Sequence, residues 1–370
     1  MSAHDPLVPP HIERLRPYVP GKPLEELERE FGIRDAIKLA SNENPLGASP
    51  RALEAAQAAL RDGHRYPDNY KLRAALAAHH AVPLAEITLG NGSNELIDLI
   101  ARTFGVPGAE VVYPDPSFVC YRSSTIASDM RSVEVPLREH VHYDVDAMLA
   151  AVTPDTKLFY LANPNNPTGA YLGGRELEQL LSALPRETLV VLDEAYVEFA
   201  DARDFVSGLA LRARHPRLIV LRTFSKAYGL AGFRVGYAIA PAQVVDYLDR
   251  VRAPFNVSSI ALAAAEAALA DQAHLARYIA HNRRERTRVS EGLVALGAEV
   301  APSQANFVLA RVPAFPGGGK ALVDALLMRG VITRPMAPPI ADYTRITIGT
   351  EAENDRLLAT LGELLETRGS

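Results

Sequence analysis

Lys226 is the residue of this sequence best placed to do covalent chemistry. It stands in Thr223-Phe-Ser225-Lys226-Ala-Tyr-Gly-Leu-Ala-Gly-Phe-Arg234, directly after an apolar run, residues 218–221, that reads as a strand. A lysine at the carboxyl end of a strand, among small and apolar neighbours, has its ammonium desolvated. That lowers its pKa and frees the amine as a nucleophile suited to Schiff-base formation. Thr223 and Ser225 add hydroxyls and Arg234 adds a fork of donors, together enough to hold a phosphate dianion. The competing reading is a solvated Lys and Arg on an ordinary connector.

Three further stretches carry the same kind of signal. Thr188-Leu-Val-Val-Leu-Asp193 is continuously apolar and ends in a carboxylate. Ligands of a parallel sheet bind beyond the carboxyl ends of its strands, so Asp193 is directed at a site. There it could keep a pyridinium nitrogen protonated, although an Asp so placed also serves as a helix N-cap. Glu194, the next residue, points to the other face and is read as structural. In Tyr160-Leu-Ala-Asn163-Pro-Asn-Asn-Pro-Thr-Gly169 a strand runs into a stiff turn, where Asn163 either donates to a ring oxygen or only shapes the turn. Leu89-Gly90-Asn91-Gly92-Ser93-Asn94-Glu95 is a glycine-rich turn into a helix over 95–104, offering backbone N–H groups and a helix N-terminus to an anion. It lacks the spacing of a dinucleotide fingerprint.

The elements that must position these residues alternate along the chain. Residues 86–89, 110–113, 132–136, 157–162, 188–192, 218–221 and 233–240 are strand-like and separated by amphipathic helical segments. This predicts an α/β fold with a mostly parallel sheet. After about residue 243 long Ala-rich helices take over, at 258–270 and 272–296. Residues 298–370 then form a smaller α+β unit, with strands at 306–311, 331–335 and 345–349 and helices at 319–329 and 351–367. The expected division is an N-terminal arm over 1–40 that joins the small domain, a large domain over 41–257, bridging helices over 258–297 and a small domain over 298–370. A short helix is expected at 23–31, between a proline-rich arm and Gly32.

Composition narrows the function classes. The chain has 370 residues, with 39 Lys and Arg against 44 Asp and Glu, a formal net charge of −5. No long basic run accompanies that balance, which argues against nucleic acid or an anionic membrane as partner. The single cysteine, Cys120, has no companion for an internal disulfide or a structural metal cluster, as suits a reducing, cytoplasmic setting. The most apolar window, 260–270, is too short to span a bilayer and contains Glu266.

Taken in chain order, the glycine turn, Phe118, Asn163, Asp193 with Tyr196, and Lys226 with Arg234 resemble the fold type I pyridoxal-phosphate aminotransferases. Within that family the chain is most similar to the histidinol-phosphate aminotransferase branch, through Pro17-Tyr18-Val-Pro-Gly-Lys22, Lys38-Leu-Ala-Ser-Asn42-Glu43-Asn44-Pro45-Leu-Gly47, Arg65-Tyr66-Pro67 and Arg345-Ile-Thr-Ile-Gly-Thr350. The resemblance implies pyridoxal 5'-phosphate as cofactor and transamination of histidinol phosphate with 2-oxoglutarate. Lys226 would bond to the cofactor and later carry the proton, Asp193 would pair with the ring nitrogen, and Tyr196 and Asn163 would bond the phenolic oxygen. Gly92, Ser93, Asn94, Thr223, Ser225 and Arg234 would hold the phosphate, and Phe118 would stack on the ring. Tyr66 would reach the phosphate of a neighbouring subunit, making the active unit a homodimer. Arg334, Arg345, Asn163 and Tyr18 would contact substrate.

Two departures bear on substrate choice. Phe118 stands where many members carry Tyr, and the segment 336–343 differs from the glycine-bearing turn expected there. An aromatic amino-acid aminotransferase therefore stays open as an alternative, as does a pyridoxal-phosphate decarboxylase. A regulatory relative would need a DNA-binding region, and none precedes residue 35.

Overall fold

The computed structural model describes residues 7–17, 29 and 32–369. Its strands are β1 (Ile37–Lys38), β2 (Ile87–Gly90), β3 (Glu110–Asp115), β4 (Arg131–Pro136), β5 (Thr156–Ala162), β6 (Leu189–Asp193), β7 (Leu218–Thr223), β8 (Gly236–Ile239), β9 (Glu299–Ala301), β10 (Phe307–Arg311), β11 (Val331–Ile332), β12 (Arg334–Pro335) and β13 (Thr344–Thr347). Seven of them form one sheet in the order β2-β8-β7-β6-β5-β3-β4. β8 runs antiparallel to both its neighbours, and the other six strands share one direction.

The two-residue period of the strands explains why the interiors of the central ones, such as 158–162 and 189–192, are apolar throughout. Along β5, Leu158, Tyr160 and Ala162 join a core built with the helices Ser93–Phe104, Val119–Ala127 and Ala242–Val251. Phe159 and Leu161 join the opposite core, with Met148 and the helix Gly174–Ala183. Both faces are covered, so neither set of positions is free to be polar.

Beyond the helix Ser259–Ala270, the long helix Gln272–Ala295 leads to a four-stranded antiparallel sheet in the order β12-β13-β10-β9. Val308, Ala310 and Ile346 from this sheet pack on Val289, Leu293, Leu322, Leu326, Leu357 and Leu361 from three helices. β1 pairs in parallel with β11, so the chain just before the large sheet is bonded beside the small one. Among the described residues no helix is long and apolar enough to cross a membrane.

The α/β class and mostly parallel sheet agree with the sequence reading, and the differences have local causes. The strand expected over 233–240 starts only at Gly236, because 231–233 form a 3-10 turn and Arg234 takes a left-handed φ of 57°. The strand expected over 331–335 divides at Thr333, the first half pairing with β1 and the second with β13. β1 and β9 are two and three residues long, too short for a periodic pattern to announce them. The helix expected at 23–31 falls, apart from Arg29, outside the described residues.

Register sets the position of the site. Ala162 of β5 aligns with Asp193 of β6, and Asp193 with Leu221 of β7, so three strands end on one line and their loops share a rim. This alignment depends on the packing behind it. Phe159→Ala, at a fully buried position, should cost about 3–5 kcal/mol of stability, read as a lowered denaturant midpoint.

Candidate active site

The rim of the large sheet and the β12–β13 edge of the small one enclose a pocket lined by Lys226, Asp193, Tyr196, Phe118, Arg334 and Arg345, among others. Lys226 donates from Nζ to the Ser41 carbonyl at 3.2 Å and lies 5.9 Å from the centre of the Tyr196 ring. Burial, helped by the positive charges of Arg345 and Arg234 and opposed by Glu43 and Asp193, lowers its amine to about 8. The free base is therefore accessible near neutral pH, as a nucleophile requires.

Asp193 sits at the end of β6 on the same face as Tyr121, whose hydroxyl donates to Oδ2 at 2.9 Å. The Ala195 N–H donates to Oδ1 at 3.1 Å. Burial pushes the Asp193 carboxyl up to about 6, and these two hydrogen bonds oppose the rise. Tyr121 is itself held by stacking on Tyr160, with ring centres 4.9 Å apart and planes 4° from parallel. Phe118, at the start of the same helix, meets Tyr121 edge-on and presents its ring to the pocket.

An anion cradle lies on the other side of Lys226. The helix Ser93–Phe104 starts after Gly92, whose φ of 78° favours glycine, and a Cβ there would collide with the Arg234 guanidinium. The Thr223 hydroxyl donates to Ser225 Oγ at 2.9 Å, and Arg234 donates from Nη1 to Ser225 Oγ at 3.4 Å and to the Ala231 carbonyl at 3.0 Å. Ser93, Asn94, Thr223, Ser225 and Arg234 all line the pocket. Gly236 lets β8 approach the helix start, since a Cβ on it would lie 2.5 Å from the Ser93 nitrogen.

These groups fit pyridoxal phosphate. The cofactor requires an amine for its aldehyde, a carboxylate for its ring nitrogen, a flat wall for its ring and a cationic, N–H-rich cradle for its phosphate. Lys226, Asp193, Phe118 and the Ser93–Arg234 cluster supply those four features within one pocket.

On the opposite wall, Arg334 of β12 and Arg345 of β13 are directly paired across the two strands. Arg345 donates to Asn166 Oδ1 at 2.5 Å and to the Ala40 carbonyl at 2.7 Å, and its guanidinium lies 5.3 Å from the Phe307 ring centre.

One expected residue is corrected. Asn163 is fully buried and spends its amide on the backbone of Leu172, accepting from N–H at 2.8 Å and donating to C=O at 3.2 Å. Asn166, three residues on, lines the pocket instead. The first residue past a strand end is still inside the sheet's rim, and the turn must run further before a side chain faces the opening. Tyr66 does not line this pocket; it is 81% exposed and stacks on Phe255 at 4.5 Å. Tyr18 lies outside the described residues. Two pocket neighbours had no signal of their own. Tyr121 follows Phe118 by three residues, but its aim at Asp193 depends on how β3 and β6 are ordered in the sheet. Asn42 stands in a motif whose chemistry is visible only in three dimensions.

Comparison with known proteins shows the family. The family described as aminotransferase class I and II matches residues 34–361. The chain is 53% identical to a histidinol-phosphate aminotransferase of Anaeromyxobacter sp. (strain Fw109-5), over 97% of this chain and 99% of that protein. It is 47% identical to histidinol-phosphate aminotransferase 2 of Pseudomonas aeruginosa, over 99% of each. Among solved structures it is similar to the histidinol-phosphate aminotransferase of Sinorhizobium meliloti in complex with pyridoxal-5'-phosphate, at 34% identity and a TM-score of 0.90, covering 98% of both chains.

The depressed Lys226 amine has a direct test. In cofactor-free protein, modification of Lys226 by an amine-reactive reagent, mapped by mass spectrometry, should rise with a midpoint near pH 8, because the free base prevails above its pKa. In Arg345→Gln the midpoint should move upward, since a cation that disfavours the ammonium is gone. An unmoved midpoint would remove Arg345 from the causes of the shift.

Proposed function

The chain belongs to the class I and II aminotransferase family, and from that premise we propose that it transfers the amino group of L-histidinol phosphate to 2-oxoglutarate. The products are imidazole acetol phosphate and glutamate, and the step belongs to histidine biosynthesis. The observation that carries the substrate assignment is the register of Arg334 opposite Arg345. Directly opposed on neighbouring strands, the two guanidinium groups bring two positive charges to one wall of the pocket. A phosphate dianion answers two guanidinium groups more fully than a single carboxylate does.

Pyridoxal phosphate, when bound, supplies an electron sink that takes up the charge left on the substrate's reacting carbon as its proton departs. The residues of this chain do the rest. Lys226 would anchor the cofactor through Nζ and, as the free amine, would accept the substrate's proton at Nζ and return it to a different carbon. The lowered pKa brings the free base within reach near neutral pH. Asp193, held ionised by Tyr121 and the Ala195 N–H, keeps the ring nitrogen protonated. Tyr196 donates to the phenolic oxygen from one side and Asn166 takes the place first given to Asn163. Ser93, Asn94, Thr223, Ser225 and Arg234, with the close approach at Gly92, fix the phosphate, and Phe118 covers the ring.

In the second half of the cycle the two arginines grip the carboxylates of 2-oxoglutarate, so one clamp serves two dissimilar anions. The active unit is a homodimer in which Tyr66 of the partner subunit reaches the cofactor phosphate; the large exposed faces of Tyr66 and Phe255 support this reading. A lone thiol and the absence of a spanning helix among the described residues fit a cytoplasmic enzyme.

The assignment is tested by a half-reaction on the holoprotein without oxo acid, following loss of the cofactor's visible absorption with histidinol phosphate or phenylalanine. Histidinol phosphate should be faster by orders of magnitude; equal rates would make the enzyme an aromatic aminotransferase, with Phe118 and the 336–343 segment as the cause. Arg334→Ala should lower kcat/KM for the phosphorylated donor by about 10–100-fold and that for phenylalanine far less. Equal losses would remove phosphate reading from Arg334.

A further inference from the structure

Asn42 lines the pocket, is 1% exposed and has a left-handed backbone with φ of 55°. Each of its polar groups is engaged. Nδ2 donates to the Tyr196 hydroxyl oxygen at 2.9 Å. Oδ1 accepts from the Thr347 hydroxyl at 3.0 Å, and the Asn42 N–H donates to that same hydroxyl at 2.9 Å. Its carbonyl accepts from Asn306 Nδ2 at 3.1 Å, and Asn306 also donates to Tyr278.

The direction of these bonds follows from proton counting. A hydroxyl has one proton, and Thr347 already accepts from the Asn42 backbone. Among the described hydrogen bonds its own proton has Asn42 Oδ1 as acceptor. That fixes the carboxamide with oxygen toward Thr347 and NH2 toward Tyr196. A reversed amide would give Thr347 two donors and leave its proton without that acceptor. Tyr196 Oη therefore accepts a hydrogen bond from Asn42, and Asn42 is not the acceptor of the tyrosine's own proton.

We propose that Asn42 is a positioning residue for Tyr196: the carboxamide, oriented by Thr347, makes the tyrosine a committed and strengthened donor into the cofactor site. A phenol that accepts a hydrogen bond polarises and donates more strongly through its own O–H. The inference rests on the reading that Tyr196 donates to the cofactor's phenolic oxygen. It also ties two functions to one short strand, since Thr347 is two residues from Arg345 on β13. The charges that act on Lys226, which lies against the Tyr196 ring, are Arg345, Glu43, Arg234 and Asp193, and a neutral replacement of Asn42 leaves all of them in place.

The test is the pH midpoint of the visible absorption change of the holoprotein, with cofactor dissociation as a second readout. A donor to the phenolic oxygen stabilises its anionic form, so losing that donor moves the midpoint upward. Asn42→Gly keeps the left-handed backbone accessible and should raise the midpoint by roughly 0.5–1 pH unit. Tyr196→Phe should raise it more, and adding Asn42→Gly to Tyr196→Phe should raise it no further. A shift in Tyr196→Phe with none in Asn42→Gly overturns the inference and leaves the Tyr196 reading standing. An Asn42→Gly shift that persists in the Tyr196→Phe background also overturns it, by showing that Asn42 acts through packing. An unmoved midpoint in Tyr196→Phe overturns the Tyr196 reading and the inference with it. Should Asn42→Gly fail to fold, Thr347→Val removes the group that orients the amide. A smaller upward shift, absent in the Tyr196→Phe background, supports the relay, and no shift overturns it.

Discussion

The desolvation of Lys226 is the constraint around which this structure is arranged. An amine withdrawn from water loses the preference for its charged form, which makes it chemically useful and at the same time costly to bury. The surrounding charges are balanced accordingly. Arg345 and Arg234 push the proton off, while Glu43 and Asp193 limit how far the shift goes. Asp193 has the converse problem, since burial favours its neutral acid, and Tyr121 with the Ala195 N–H works against that. Both groups end up with protonation equilibria near neutrality, from opposite starting points.

The sheet supplies the stiffness this balance needs. Asp193 and Glu194 are adjacent carboxylates on opposite faces of the chain as it leaves β6, and they meet different surroundings. Glu194 is fully buried, accepts two hydrogen bonds from Arg222 at 2.8 and 3.0 Å, one from the Ser207 hydroxyl at 2.9 Å and one from the Gly208 N–H at 2.7 Å. The pair joins the end of β6 to the end of β7 directly behind the site. Removing either partner would leave an uncompensated buried charge, so the two strand ends are held in step and Asp193 keeps its place relative to Lys226.

Much of this was legible in the sequence because it depends on chain-local features. An apolar run with a polar residue at its end marks a two-sided buried strand meeting a crevice; Asp193 follows that rule, and Lys226 stands five positions past the run 218–221. Gly92 marks a turn, and Thr223, Ser225 and Arg234 cluster within a dozen positions. The features that escaped are those that depend on how the strands are ordered. Tyr121 reaches Asp193 only because β3, β5 and β6 are successive neighbours. Asn163 was misplaced for a related reason: the strand-end rule locates the rim but does not say which residue of a seven-residue turn faces inward. Asn42 lies more than 150 residues from Tyr196 and 305 from Thr347, and no local pattern encodes such a meeting.

The two sheets contribute different kinds of precision. The large one fixes the groups proposed to act on the cofactor, through the central strands β6 and β7, which are bonded on both edges. The small one brings Arg334 and Arg345 on strands of two and four residues, a lighter construction suited to gripping two anions of unlike length. Thr347 is one of the places where the two systems touch, since its hydroxyl bonds Asn42, and Asn42 bonds Tyr196. A displacement of β13 large enough to move Arg345 must strain that contact, because the three residues from 345 to 347 share one extended backbone. Arg345, through Asn166, and Thr347, through Asn42, thus tie the same short strand to the large-sheet side of the pocket.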